Sequence, residues 1–190
     1  MFPVFGINFE WVLIIVIGVV GLIVQARLSS VFNKYSQVPF PGGMTGRDVA
    51  EKMLRDNGIH DVQVVSTSGQ LTDNYNPTNK TINPSEGVFA SNSVAAAAVA
   101  AHETGHAIQH ATSYAPLKLR AALVPVINLS SRWSMLVVIA GIVLIMSSNS
   151  YTVFWIGIAM IAVSALFSLI TLPVEYNASA RAMKWLRGSG

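Results

Sequence analysis

Three long apolar stretches alternate with polar segments along this chain. They cover about residues 4–24, 133–148 and 153–172, with a short polar break at 147–152. A helix needs about 20 mostly apolar residues to cross a hydrocarbon core ~30 Å thick. The third stretch has this length. The second stretch is shorter, so it either includes residues 123–129 or crosses a locally thinned bilayer. The pattern predicts an α-helical integral membrane protein with about three transmembrane helices, the last two forming a hairpin.

The same pattern divides the chain into segments, and one polar segment is long enough for a small domain. We expect an N-terminal transmembrane anchor over residues 1–27 and a domain over residues 28–120. Residues 121–150 then form an interfacial segment and the second transmembrane helix, and residues 151–172 form the third. Residues 173–190 form a C-terminal helix outside the membrane.

Local signals within the predicted domain indicate an α+β arrangement. Thr45 and Asp48 have the spacing of a capping box at the start of a helix. Residues 61–67 are rich in valine and predict a strand, and the turn-rich residues 71–89 could add short strands near it. A run of alanines then predicts a helix over about residues 92–112, with a serine or asparagine cap at its start.

Composition supports the membrane class and orients the chain. Hydrophobic residues make up 52% of the sequence and charged residues 11%, and cysteine is absent, which excludes disulfides and thiolate ligands. All Lys and Arg lie between the first and second stretch or after the third. Because basic residues near span ends stay in the cytosol, we expect the N-terminus outside and the domain inside. The basic pI suits a lipid bilayer as partner, and no nucleic-acid motif accompanies it.

The helix predicted over residues 92–112 carries the motif H-E-x-x-H at residues 102–106. Positions four apart stand on one helix face, so His102 and His106 can bind the same metal ion. Histidine nitrogens suit Zn²⁺, and Glu103 is placed to act as the general base on a water molecule beside the metal. The motif predicts one catalytic zinc ion and a hydrolytic reaction, most often on peptide bonds.

A catalytic zinc ion needs a third protein ligand and one open position. Glu175 lies three residues beyond Leu172, where the predicted hairpin returns the chain to the side that carries the two histidines. We therefore expect Glu175 to be the third ligand. The alternative is an ordinary helix-end carboxylate paired with Arg181 or Lys184.

Other side chains have weaker or different claims on this site. His110 continues the four-residue spacing, but three histidines over two turns of a straight helix cannot converge on one small ion. His60, Asp73 and Glu86 are weak alternatives, and Gly105 could mark the close approach of another backbone. The tetrahedral oxygen of the reaction needs a hydrogen-bond donor, for which the sequence offers several residues without choosing among them. These donors are His110, Tyr114, Tyr176 and Arg181.

Several stretches also match a known family pattern. They are Thr45-Gly-Arg-Asp-Val-Ala50, Gly69-Gln-Leu-Thr-Asp73, Val99-Ala-Ala-His-Glu-Thr-Gly-His-Ala-Ile-Gln109, Leu119-Arg120 with Val124-Pro-Val126, and Leu172-Pro-Val-Glu-Tyr-Asn-Ala-Ser179. In these stretches the chain resembles the YugP-like family of bacterial membrane zinc metallopeptidases and, more distantly, HtpX-type membrane proteases. The resemblance implies a zincin-like (gluzincin) catalytic domain in a multi-pass protein of the bacterial cell membrane. It also implies that His102, His106 and Glu175 bind zinc and that Glu103 is the base.

The chain departs from these relatives at a few positions. HtpX-type proteins place an Asp four residues after the ligand Glu, where this chain has Ser179, so a weaker hydrogen bond to a histidine ligand is expected. Asn74 and Asn76 stand where the YugP-like pattern often has His and Asp.

The expected function is that of a membrane-bound zinc-dependent metalloendopeptidase acting on membrane or membrane-proximal proteins at the cytoplasmic face. One alternative is a non-catalytic zinc-binding scaffold or chaperone-like protein. Another is an intramembrane metalloprotease in which residues 94–111 cross the bilayer. That arrangement would put Lys118 and Arg120 on the opposite side from Arg27 and break the charge asymmetry. The sequence predicts neither the particular substrate nor the oligomeric state.

Overall fold

The computed structural model describes residues 9–69 and 72–188 of the chain. Residues 1–8, where the predicted anchor begins, lie outside the described part. The described helices are α1 (Phe9–Ser36), α2 (Gly46–Asp56), α3 (Glu86–Phe89), α4 (Val94–Ala111), α5 (Ala115–Ser148) and α6 (Thr152–Gly188), with a 3₁₀ turn at Pro41–Gly43. The described strands are β1 (Gln63–Val64), β2 (Asn74–Asn76) and β3 (Thr81–Asn83).

Helices α1, α5 and α6 are each long and apolar enough to cross a membrane. Many of their large apolar side chains are exposed in the isolated chain, which is typical of surfaces that contact lipid. The prediction of a mainly helical chain with about three helices long and apolar enough to span a membrane is therefore confirmed. Helix α4, which carries the H-E-x-x-H residues, instead packs against α2 and α6.

The long helices extend further than the apolar pattern indicates. Helix α1 continues past the predicted anchor to Ser36, and α6 continues through Pro173 to Gly188 without a break. Helix α5 is a single helix of 34 residues that includes Pro125, where the sequence predicts an interfacial segment followed by a span. At 1.5 Å per residue α5 is about 51 Å long, so it projects well beyond a ~30 Å hydrocarbon core.

Helices α5 and α6 form an antiparallel hairpin that is closely packed at two glycines. The turn contains Asn149, whose φ of 53° is left-handed. A Cβ on Gly141 would lie 2.5 Å from the backbone of Phe154, and a Cβ on Gly157 would lie 2.9 Å from the backbone nitrogen of Val138. Close contact at both levels keeps the two helices side by side along the hairpin.

The predicted capping box starts the first helix of the domain. The Thr45 hydroxyl accepts a hydrogen bond from the Asp48 backbone N–H, and the Asp48 side chain accepts one from the Thr45 backbone N–H. Helix α2 then buries Val49 and Met53 against Ile82 of β3 and against the alanine face of α4. Since alanine side chains are short, α4 lies close to its neighbours on several sides.

The sheet of the domain is smaller than its sequence signals indicate. Its strand order is β1-β3-β2, with β1 parallel and β2 antiparallel to β3. The stretch predicted as a strand over residues 61–67 forms a strand of two residues, followed by one isolated bridge from Thr67 to Ser85. Strand β2 lies at one edge of the sheet and contacts α4.

The C-terminal part of α6 is part of the domain core. Ala182 is buried, and the Trp185 indole N–H donates to Asp56 Oδ2 of α2 at 2.9 Å. Lys52 of α2 lies over the Trp185 ring, with its Nζ 5.1 Å from the ring centroid. One continuous helix thus connects the apolar hairpin to the packed domain.

Candidate metal centre

Two histidines of α4 and one glutamate of α6 converge at the junction of the hairpin and the domain. The Nε2 atoms of His102 and His106 lie 3.2 Å and 3.4 Å from Glu175 Oε2. The ligand atoms of the three side chains all lie within 4.8 Å of one another. In a tetrahedral zinc site, ligand atoms about 2.05 Å from the ion are about 3.3 Å apart, and two histidines with one carboxylate are a known zinc ligand set. Both the spacing and the donor chemistry therefore fit zinc.

The close crossing of α4 and α6 brings the three ligands together. Gly105 lies between the two histidines at this crossing, and a Cβ there would be 2.6 Å from the carbonyl oxygen of Ala178. The expectation that Gly105 marks the close approach of another backbone is confirmed. A larger side chain at this position would push α6, and Glu175 with it, away from the imidazoles.

Glu103 is partly buried and lines the same cavity as the candidate ligands. Burial raises the pKa of Glu103 to about 7, and the negative charges of Asp73 and Glu175 act in the same direction. A hydrogen bond from the Tyr75 backbone and the positive charge of Arg120 oppose this shift. A carboxyl group in these surroundings is suited to accept and return a proton near neutral pH.

The imidazole of His102 is partly buried next to that of His106. Burial lowers the pKa of His102, the neighbouring His106 adds to the effect, and Glu175 opposes it. The shift favours the neutral imidazole, which is the form that binds metal ions.

Contacts from α6 and α4 orient both histidines. The Ser179 hydroxyl lies 3.1 Å from His102 Nδ1, so the hydrogen bond expected at this position is present. Gln109 Oε1 lies 3.0 Å from His106 Nδ1. Gln109 was not among the sequence-predicted site residues, although it lies three residues after His106 and therefore on the same face of the helix.

A cavity of about 650 Å³ opens beside the candidate ligands. Strand β2 forms one wall through Asn74 and Tyr75. The first turns of α5 form another wall, which combines the apolar side chains of Leu117 and Val124 with Arg120. The cavity thus has a strand edge on one side and a partly apolar helix face on the other.

Arg120 was not among the sequence-predicted site residues. Its Nη1 lies 3.4 Å from Glu175 Oε1, so the carboxylate pairs with α5 and not with Arg181 or Lys184. The pair of Arg120 and Glu175 follows the same antiparallel register as the contacts of Gly141 with Phe154 and of Val138 with Gly157. Only the register of the hairpin, which the sequence left open, reveals this pairing.

The remaining predicted residues fall into two groups. His110 and Tyr114 line the cavity, and the Tyr75 hydroxyl lies 2.8 Å from His110 Nδ1, so His110 is apart from the candidate ligand set. Tyr176 is 73% exposed and Arg181 donates to Asn177 Oδ1, and neither lines the cavity.

Of the three weaker ligand candidates, one lies in the cavity and two lie elsewhere. Asp73 lines the cavity, where it accepts hydrogen bonds from the backbone N–H and the hydroxyl of Ser85. His60 borders a groove beside β1, and Glu86 begins α3, so neither belongs to the candidate site.

This fold and site define a class of mainly helical proteins that combine helices able to span a membrane with a zinc-compatible ligand set. Residues 10–190 match the family model described as "Putative neutral zinc metallopeptidase", and the chain belongs to this family. Over 166 residues it is 40% identical to the "Putative membrane protease YugP" of Bacillus subtilis (strain 168). The aligned residues make up 87% of this chain and 72% of that protein. No solved structure matches the chain.

Proposed function

We propose that this chain is a membrane-bound zinc metalloendopeptidase that cleaves membrane or membrane-proximal proteins at the cytoplasmic face of a bacterial cell membrane. The proposal rests on one observation: two imidazoles from α4 and a carboxylate from α6 meet in a cavity that Glu103 also lines. Membership of the zinc metallopeptidase family and the similarity to a membrane protease support it.

His102, His106 and Glu175 would hold one zinc ion, with Glu103 next to them in the cavity. Bound zinc would supply polarisation of the attacking water and of the scissile carbonyl group. Glu103 takes a proton from the attacking water and returns it to the leaving amine. Its burial and its negatively charged neighbours, Asp73 and Glu175, favour a carboxyl group that can make both transfers.

The cavity suits an extended peptide between β2 and α5. Strand β2 pairs with β3 on one side only, and its Tyr75 backbone N–H is directed to Glu103, so its other edge faces the cavity. A peptide along this edge can form main-chain hydrogen bonds that do not depend on its sequence. Leu117 and Val124 on the opposite wall would contact apolar side chains of the substrate.

The position of Glu175 supports membrane-proximal substrates. Glu175 follows the last apolar residue of the third stretch, Leu172, by three residues, which is about 4.5 Å of helix. The site therefore lies close to the end of the apolar hairpin. The distribution of Lys and Arg supports a cytoplasmic location for this end.

Paired substitutions test the proposal on the purified chain in detergent. We expect Glu103→Gln to keep zinc and to lower peptide cleavage by about 10²–10⁴-fold, because only the proton acceptor is removed. We expect Glu175→Ala to lose zinc. Glu86→Gln, a carboxylate change outside the site, is the control and should keep both properties.

Zinc content measured by atomic emission and cleavage of an unfolded protein substrate give the two readouts. Equal zinc content in the wild type and Glu175→Ala would overturn the ligand set. Wild-type cleavage by Glu103→Gln would overturn the assigned base. A wild type that binds zinc but cleaves no substrate would favour a non-catalytic scaffold.

A further inference from the structure

Gln109 is a fully buried amide that connects His106 to α6. Its Oε1 lies 3.0 Å from His106 Nδ1. Its Nε2 donates to the carbonyl oxygen of Val174 at 2.8 Å and to Asn177 Oδ1 at 3.0 Å. A buried amide with every polar atom paired holds one orientation, because turning it over would leave unpaired groups.

The partners of this amide determine which of its atoms faces which neighbour. The Val174 carbonyl can only accept a hydrogen bond, so the amide nitrogen of Gln109 must face it. The Arg181 Nε–H can only donate and lies 2.8 Å from Asn177 Oδ1, so Asn177 presents an oxygen to both Arg181 and Gln109. Because the Val174 carbonyl and Asn177 Oδ1 both require the nitrogen of the Gln109 amide, its oxygen must face His106. That oxygen can only accept, so His106 Nδ1 carries the proton.

We propose that Arg181, Asn177 and Gln109 form a hydrogen-bond relay that fixes His106 in the tautomer with its proton on Nδ1 and its lone pair on Nε2. This inference rests on the proposed zinc site. The Nε2 atom lies 3.4 Å from Glu175 Oε2, so the relay presents the free nitrogen to the position that a metal would occupy. All three are positioning residues, since they act on the site through His106.

The relay distinguishes the two histidines of the motif. His102 Nδ1 faces the Ser179 hydroxyl at 3.1 Å, and a hydroxyl can donate or accept. Ser179 therefore orients the ring of His102 without selecting its tautomer. The relay also couples the elements of the site, because α6 carries Glu175, Asn177 and Arg181, whereas α4 carries both histidines and Gln109.

Two substitutions at different points of the relay test it. Asn177→Asp keeps an oxygen acceptor for both Gln109 and Arg181, so we expect wild-type zinc affinity. Gln109→Met, of similar volume, removes both the oxygen that faces His106 Nδ1 and the nitrogen that donates to α6. We expect this variant to bind zinc about 10–100-fold more weakly, the usual effect of losing a hydrogen bond behind a metal ligand. Competition with a fluorescent zinc chelator measures both affinities.

The tautomer of His106 can be read directly in the metal-free chain. The chain has four histidines, so ¹⁵N-histidine labelling gives few signals, and His60→Gln and His110→Gln assign two of them. We expect long-range ¹⁵N–¹H correlations to show the Nδ1 proton on His106 in the wild type and in Asn177→Asp. In Gln109→Met, which lacks the oxygen acceptor for the Nδ1 proton, we expect a mixture of tautomers. If Gln109→Met fails to fold in detergent, Gln109→Leu takes its place with the same two expectations.

The two readouts separate the relay from the proposed function. A proton on Nε2 of His106 in the wild type, or wild-type zinc affinity in the folded Gln109 variant, would overturn the relay. A wild type that binds no zinc would contradict the proposed function instead. The metal-free tautomer of His106 would still decide on the relay in that case.

Discussion

At the scale of single residues, the two oxygens of Glu175 have different partners. Oε2 faces both imidazoles, and Oε1 pairs with Arg120. The side chains of Arg120 and Glu175 are 34% and 38% exposed, so the ion pair itself adds little to stability. Its main effect is to hold the carboxylate with one oxygen directed at the histidines.

We therefore predict that Arg120→Gln weakens zinc binding by about tenfold, the lower end of the usual effect of residues that orient a ligand. The thermal midpoint of the metal-free chain should change little, because an exposed ion pair contributes at most about 1 kcal/mol. Chelator competition and a thermal melt measure the two quantities. Lys118→Gln, a cation of the same cavity outside the ion pairs of Glu175, is the control and should retain wild-type affinity. Equal affinities in both variants would show that Arg120 does not orient Glu175.

The sequence predicts the candidate ligands better than the residues that orient them. The four-residue spacing of His102 and His106 places both on one helix face wherever the helix lies. The expectation that Glu175 is a ligand depends only on knowing to which side of the membrane the hairpin returns the chain. The contacts of Arg120 with Glu175 and of Asn177 with Gln109 depend on helix register and on side-chain positions at the ångström scale. Apolar periodicity does not specify either of these.

At the scale of secondary-structure elements, the metal centre depends on the crossing of α4 and α6. We predict that Gly105→Ala disrupts this crossing. Alanine favours a helix by up to ~1 kcal/mol over glycine. However, its Cβ would lie 2.6 Å from the Ala178 carbonyl, and overpacking of this kind costs about 1–3 kcal/mol. The net expectation is a lower thermal midpoint and weaker zinc binding.

Gly87→Ala in α3 is the matched control for this prediction, since a Cβ there meets nothing within 4 Å. It should keep the wild-type thermal midpoint and zinc affinity. If Gly105→Ala behaved like Gly87→Ala in both measurements, the close approach of α4 and α6 would not be needed for the site.

Helix boundaries and short strands are the elements that the sequence predicts least well. A prolyl residue removes one N–H donor, and the long packed hairpin keeps α5 and α6 helical through Pro125 and Pro173. Strands of two or three residues are too short for a period of two to be visible. The capping box and the alanine run, which act within a few residues, are predicted correctly because they do not depend on tertiary contacts.

At the scale of the whole molecule, the orientation of the hairpin determines which compartment contains the proposed peptidase site. The Lys and Arg residues all lie on one side of the predicted membrane. The hairpin turn near Tyr151 should therefore face outward and the domain should face the cytosol. The absence of native cysteine allows a direct test with single introduced cysteines.

We predict that Tyr151→Cys reacts with a membrane-impermeant maleimide on intact cells and that His60→Cys reacts only after lysis. Both side chains are exposed, so both variants should react fully in detergent, and the cysteine-free wild type should not react at all. Labelling of His60→Cys on intact cells, with Tyr151→Cys protected, would reverse the orientation. The ligand geometry would be unaffected by that result, but the substrates would have to be sought on the outer face, because a site joined to the hairpin end cannot act across the bilayer.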